Sequence, residues 1–242
     1  MTISNVTAVA AIQVRNLVKS FGSQVALRGV ELAVEEGEFL TLVGPNGAGK
    51  TTLIRILATL TRPTGGEVWI DGRNLAEGAL ELRRRIGFIS HQPLLYGDLT
   101  AQENLRFYAR IYNLAEAAER IEQVLEQVGL LSRRRDPVRT FSRGMQQRLS
   151  IARAILHRPA VLLLDEPYTG LDQQAAAMLD QVMQAVGAAS RTVLMTTHDL
   201  HRGLSMSDRV AILSAGRLVY QAPRADLNER SFRQIYRDAV TG

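Results

Sequence analysis

The segment Gly44-Pro45-Asn46-Gly47-Ala48-Gly49-Lys50-Thr51 constrains this chain more than any other. It fits the spacing G-x-x-x-x-G-K-[ST], in which a glycine turn joins a strand to a helix whose first N–H groups face an anion. The flanks supply that setting. Phe39-Leu40-Thr41-Leu42-Val43 reads as a buried strand, and Thr52-Leu53-Ile54-Arg55-Ile56-Leu57 has helical character. In such a loop the backbone from Gly44 to Thr52 cradles phosphates, Lys50 reaches the β and γ oxygens of a nucleotide, and the Thr51 hydroxyl is a ligand for Mg²⁺. Of the 29 basic residues only Lys19 and Lys50 are lysines. An ammonium kept at this position suits a site that wants a compact point charge and not a planar fork.

A phosphate loop of this kind needs a carboxylate at the end of a buried strand to hold the metal. Leu162-Leu163-Leu164-Asp165-Glu166 supplies two. Asp165 suits the metal, and Glu166 suits the general base that orients or deprotonates an attacking water.

The remaining pattern is α/β. Ile12–Leu17 and Gln24–Val34 alternate as strands and open a sheet, Val68–Ile70 ends at the turn Asp71-Gly72, and Ile86–Ile89 precedes Gln92. From Thr100 to Gly129 the period is helical. Leu105, Tyr108, Ala109, Ile111 and Tyr112 share one face, and Thr100-Ala101-Gln102-Glu103 is a capping box. Ser142 caps a further helix to about His157. Val161–Leu164 and Thr192–Thr197 read as buried strands joined by a helix over Gln173–Val186, which makes the sheet parallel, and Val210–Tyr220 reads as a closing hairpin before a helical tail.

Ser142-Arg143-Gly144-Met145-Gln146-Gln147-Arg148, placed before the Asp165-Glu166 strand, resembles the signature segment of ABC ATPases. The order of the other motifs is similar to that family over roughly residues 12 to 222. The resemblance implies that Phe21 stacks on adenine, that Gln92 is the Q-loop glutamine at the metal and water, that Asp172 in Gly170-Leu171-Asp172 lies in the D-loop, and that His198 is the switch histidine. By spacing alone Phe21 reads equally as a core aromatic and Gln92 as a surface polar residue, and His91, His157 and His201 as surface or helix-end residues. The signature departs from L-S-G-G-Q at Phe141, Arg143 and Met145 and keeps Ser142 and Gly144, which in the family meet the γ-phosphate held by a partner subunit.

The fold implied is a P-loop NTPase (RecA-like) core with a mainly parallel sheet, an N-terminal antiparallel β subdomain and an inserted α-helical subdomain. It forms a single ABC ATPase domain over 1–242, with the core at about 12–92 and 159–222, the helical part at about 93–158 and a tail at 223–242. The cofactors implied are ATP and Mg²⁺. The partners implied are a second copy arranged head-to-tail as a homodimer and an integral membrane permease.

Composition narrows the work such a clamp could do. Cysteine is absent, so thiol catalysis, disulfides and thiolate metal sites are excluded. Residues Met1 to Ala11 carry neither a basic stretch nor an apolar core, and no run reaches the roughly 18 apolar residues of a spanning helix. With the permease that the resemblance implies, the expected location is peripheral, at the cytoplasmic face of the cell membrane. A net charge of +5 admits nucleic acid or an anionic surface as a partner. Nucleic acid is not expected, because Gly144 follows Lys50 by only 94 residues, with no room for the long coiled coils of repair ATPases, and there is one cassette, not two. A small-molecule kinase would have no use for the signature. Arg83-Arg84-Arg85 and Arg133-Arg134-Arg135 read as solvated faces. The stretches Leu95–Leu105, Phe141–Met145 and Asp165–Asp172 resemble the haem exporter ATP-binding subunit of cytochrome c maturation, and drug exporters of the same branch share parts of them.

Overall fold

The computed structural model describes residues 10–90, 92–187 and 191–241. The readings of His91 and of residues 1–9 lie outside them. Along the chain, β1 (Ala10–Phe21), β2 (Gln24–Glu35) and β3 (Phe39–Val43) lead into α1 (Lys50–Leu57). Next come β4 (Gly65–Ile70), β5 (Arg73–Asn74), α2 (Ala79–Arg83) and β6 (Ile86–Ile89). Three helices follow: α3 (Ala101–Ile111), α4 (Ala117–Gln127) and α5 (Arg143–Ile155). Then β7 (Val161–Asp165), α6 (Gln173–Gly187), β8 (Thr192–Thr197), α7 (Leu200–Met206), β9 (Arg209–Ser214), β10 (Arg217–Pro223) and α8 (Glu229–Thr241) complete the order.

Two sheets result. An antiparallel sheet has the order β2-β1-β4-β5, and a six-stranded sheet has the order β10-β9-β3-β8-β7-β6. In the second, β3 pairs in parallel with β8 and β9, β7 with β8 and β6, and only the β9–β10 hairpin is antiparallel. This is a P-loop NTPase α/β architecture with an antiparallel β portion and a helical portion between β6 and β7. The strand β3, continuous in sequence with β1 and β2, sits in the parallel sheet. Its five residues are all buried, and only a strand covered on both faces accommodates such a run.

The two faces are filled alternately. Leu162, Leu164, Val193 and Met195 face the α3–α5 side with Leu105, Val124 and Leu149, whereas Val161, Leu163, Leu194, Leu40 and Leu42 face α1 and the antiparallel sheet. Each such fully buried side chain contributes about 1.5–3 kcal/mol. The capping box of α3 forms as its residues require: the Thr100 hydroxyl accepts from Glu103 N–H, and the Glu103 carboxylate accepts from Thr100 N–H.

One reading is corrected and two features are added. Ile111, assigned to the buried face of α3, is exposed, because α4 packs on the side of Leu105 and Ala109. The short β5 and α2 were not anticipated, since two and five residues are too few to carry a period. His157 lies just past the end of α5, as the helix-end reading has it, and is half-buried there instead of exposed. Its Nε2 lies 3.1 Å from the Ile86 carbonyl, its ring stacks on Tyr112 with centroids 3.9 Å apart, and burial pushes the imidazole down to about 4.

Candidate functional site

Strand register assembles the site. Val43 pairs with Thr197 and Asp165 with Thr196, so the loop after β3 and the segments after β7 and β8 emerge side by side at the carboxyl ends of the sheet. Residues far apart in sequence thereby share one edge.

The loop conformation follows from its glycines. A Cβ on Gly44 would lie 2.2 Å from the Leu213 carbonyl oxygen, so nothing larger fits where β3 leaves the sheet beside β9. Gly49 holds φ 106° immediately before α1, a conformation open to glycine, and a Cβ there would meet Ala26 O at 2.7 Å. The first turn of α1 then begins at Lys50 with N–H groups that have no intrahelical acceptor. Lys50 is buried. Its Nζ donates to Gly44 O at 2.7 Å and Pro45 O at 3.2 Å and lies 3.7 Å from Glu166 Oε1.

The Thr51 hydroxyl donates to Asp165 Oδ1 at 3.1 Å, and the buried Thr196 hydroxyl donates to the same oxygen at 2.8 Å. Asp165 Oδ2 accepts nothing among the described residues. Glu166 follows in the left-handed region at φ 51°, and its N–H donates to Thr196 O and Oγ1, each at 3.2 Å. This sparsely populated conformation turns the side chain toward Lys50 and His198, where Glu166 Oε2 lies 2.8 Å from His198 Nδ1. A proton on Nδ1 makes that contact a hydrogen bond and leaves Nε2 as the free nitrogen.

These groups line a cavity of about 600 Å³ that also takes in Phe21, Gln24, Val25, Pro45, Asn46, Gly47, Ala48, Thr52 and Thr169. Phe21 is 53% exposed, with Lys19 Nζ 4.7 Å above its ring, so the core-aromatic reading is excluded. A half-exposed aromatic at the mouth of a phosphate cradle, with Lys19 on one side, can stack on a planar ring through its other face.

Four expected site residues stand apart from this cavity. Gln92 is exposed, with its backbone carbonyl accepting from the Ser90 hydroxyl. Ser142 caps α5 by accepting from Met145 N–H at 3.3 Å, Gly144 packs against Ala175, and Asp172 caps the start of α6 by accepting from Ala175 N–H at 2.7 Å. Ser142, Gly144 and Asp172 form a second group, centred on the abutting ends of α5 and α6, and Gln92 is not part of it. Arg143 lies over Gly170 in the same group, where a Cβ would come within 2.4 Å of its Nη1.

Sequence reading missed Thr196. The signal was available: Thr192-Val193-Leu194-Met195-Thr196-Thr197 ends in two hydroxyls although all six residues are buried. A buried hydroxyl requires a partner, and that partner is the carboxylate one strand away.

The donor set suits a triphosphate with Mg²⁺. Hydroxyl and carboxylate oxygens from Thr51 and Asp165 are hard ligands, one carboxylate oxygen is open, and no cluster of three or more His, Cys, Asp or Glu exists among the described residues that could form an all-protein cage. Mg²⁺ is held in this manner, by a few protein oxygens plus phosphate.

The family pattern described as ABC transporter matches residues 27–169, more than half of the chain. The chain belongs to the ABC transporter family. The resemblance read from the signature segment is thereby borne out, and the protein is an ABC ATPase. It is 33% identical over 221 residues to a linearmycin resistance ATP-binding protein of Bacillus subtilis, covering 90% of this chain and 71% of that one. It is 36% identical over 220 residues to a Nod factor export ATP-binding protein of Cupriavidus metallidurans, covering 90% and 73%. Among solved structures it resembles an ATP-binding cassette in a dimeric post-hydrolysis state bound to ADP and Pi, with a TM-score of 0.79, 30% identity, and coverage of 88% of this chain and 98% of that one.

Proposed function

We propose that this ABC ATPase energises a membrane exporter of drug-like or antibiotic-like compounds, working as a head-to-tail pair of identical subunits docked on a separate permease. The observation that carries the hydrolytic part is the convergence of Lys50, Thr51, Asp165, Glu166 and His198 on one cavity. The export reading is supported by relatives described as acting in linearmycin resistance and Nod factor export. The expectation of haem export rests on wording around the motifs, and neither relative carries that description, so drug export takes its place.

In this reading the triphosphate lies along the first turn of α1, with Lys50 at the β and γ oxygens and Phe21 against adenine. Thr51 and Asp165, with Gln92, would hold Mg²⁺, which supplies charge neutralisation at the β and γ phosphates. Glu166 accepts a proton from the attacking water, and His198 holds the Glu166 carboxylate and offers Nε2 toward the γ-phosphate. Ser142 and Gly144 of a second copy close the cradle. That explains why they stand outside the cavity of a single chain, as does Asp172. Closure on ATP and reopening after hydrolysis would drive the permease. No helix among the described residues is long and apolar enough to cross a membrane, which fits a peripheral subunit at the cytoplasmic face.

The test is complementation. A strain lacking this gene should become sensitive to one or more antibiotics, and the native chain should restore resistance. Glu166→Gln should not, while the purified variant forms an ATP-dependent dimer with turnover reduced at least a hundredfold, consistent with loss of a general base. Loss of c-type cytochromes with unchanged antibiotic sensitivity would return the assignment to haem export, and full turnover by Glu166→Gln would remove the base.

A further inference from the structure

His198 is held weakly by its own side chain. It is 64% exposed, and its polar contact among the described residues is Glu166. The residue after it, Asp199, is more firmly bound. Asp199 accepts from Arg202 N–H at 3.1 Å through Oδ1, while its Oδ2 lies 3.4 Å from Arg202 Nε. The same guanidinium donates through Nη1 to both oxygens of Asp180, at 2.9 and 3.0 Å. It also stacks on Tyr168, with Cζ 4.5 Å from the ring centroid.

These partners come from three elements. Asp199 adjoins His198 after β8, Tyr168 lies two residues past Glu166 after β7, and Asp180 is on α6, the helix that Asp172 begins. Tyr168 is itself clamped, since its hydroxyl donates to Met206 Sδ at 3.0 Å. One side chain, three-quarters buried, therefore ties the segments on both sides of the Glu166–His198 contact to a common helix.

We propose that Arg202 is a positioning residue for ATP hydrolysis, holding His198 at hydrogen-bond distance from Glu166 through Asp199 and Tyr168. The inference rests on the hydrolytic roles given above to Glu166 and His198. A charge-assisted contact and a cation–π stack on one planar group fix orientation as well as distance, and a lysine ammonium has no plane to do the same. A displacement of about 1 Å at a reacting group costs up to a hundredfold in rate.

The experiment is a double-mutant cycle on ATP hydrolysis, read by steady-state assays with ATP in excess. Arg202→Met and Asp180→Asn should each lower kcat about tenfold or more, with KM and ATP affinity within twofold of the native values. In a His198→Ala background both effects should vanish, because the group they position is gone. Asp180→Asn keeps the guanidinium and its stack, so it carries the test if Arg202→Met does not fold. Equal rate losses with and without His198, a change in KM alone, or normal kcat in Asp180→Asn would overturn the proposal. Normal turnover in Asp180→Asn and Arg202→Met beside an inactive Glu166→Gln would leave the hydrolytic site intact and remove only the role of Arg202. Native turnover in Glu166→Gln would remove the hydrolytic reading itself.

Discussion

The Thr196 hydroxyl donates to Asp165 Oδ1 at 2.8 Å while accepting from Glu166 N–H at 3.2 Å. One buried hydroxyl thus orients the carboxylate assigned to the metal and the backbone of the residue assigned to the water. Replacement by valine keeps the shape and removes the hydrogen bonds, at about 1–2 kcal/mol of stability. Thr196→Val should lower ATP turnover about tenfold and raise the Mg²⁺ concentration for half-maximal activity. Thr196→Ser, which keeps the hydroxyl, should restore both in a steady-state assay.

Lys50 Nζ is already satisfied by Gly44 O and Pro45 O before any phosphate arrives, so its ammonium is pre-positioned at the cradle. Lys50→Ala should reduce ATP affinity at least a hundredfold by titration calorimetry while leaving the thermal midpoint within a few degrees. Lys50→Arg should not restore affinity, because a planar fork cannot enter a buried site shaped for a point charge.

Ser142 caps α5 with its hydroxyl, and loss of an N-cap costs about 1 kcal/mol. Ser142→Ala should therefore show a small fall in thermal midpoint. It should also show a disproportionate loss of the ATP-dependent dimer in size-exclusion chromatography, with nucleotide affinity of the monomer unchanged. A dimer that persists at native strength would remove the contact in trans.

His157 gives the protein an acid-sensitive element. Its imidazole is held down to about 4 by burial, against 6.5 when free. Above pH 6.5 both folded and unfolded chains carry it neutral and it makes no pH-dependent difference. Between 6.5 and 4 the unfolded chain binds the proton more readily, so stability falls as pH falls, by up to the order of 3 kcal/mol. His157→Phe keeps the stack on Tyr112 and removes the titration. Denaturant midpoints measured between pH 7 and pH 4 should decline less steeply in this variant than in the native chain.

The loop from Gly44 to Thr51, the strand ending in Asp165 and Glu166, and the capped starts of α3 and α5 were legible in the sequence. Each depends on residues close together in the chain, where glycine freedom, hydroxyl caps and unbroken apolar runs act locally. His198, directly after the buried strand Thr192–Thr197, was reached through the resemblance of the motif order. Sequence alone did not determine that Thr196 serves Asp165, that Phe21 is exposed instead of buried, that His157 is packed on Tyr112, or that Arg202 reaches back to Tyr168 and Asp180. Those facts depend on which strand lies beside which and in what register, and a pairing of Asp165 with Thr196 across 31 residues is fixed only when the parallel sheet closes. Local chemistry names the parts of such a site. Register, set by the burial of both faces of one sheet, decides which of them touch.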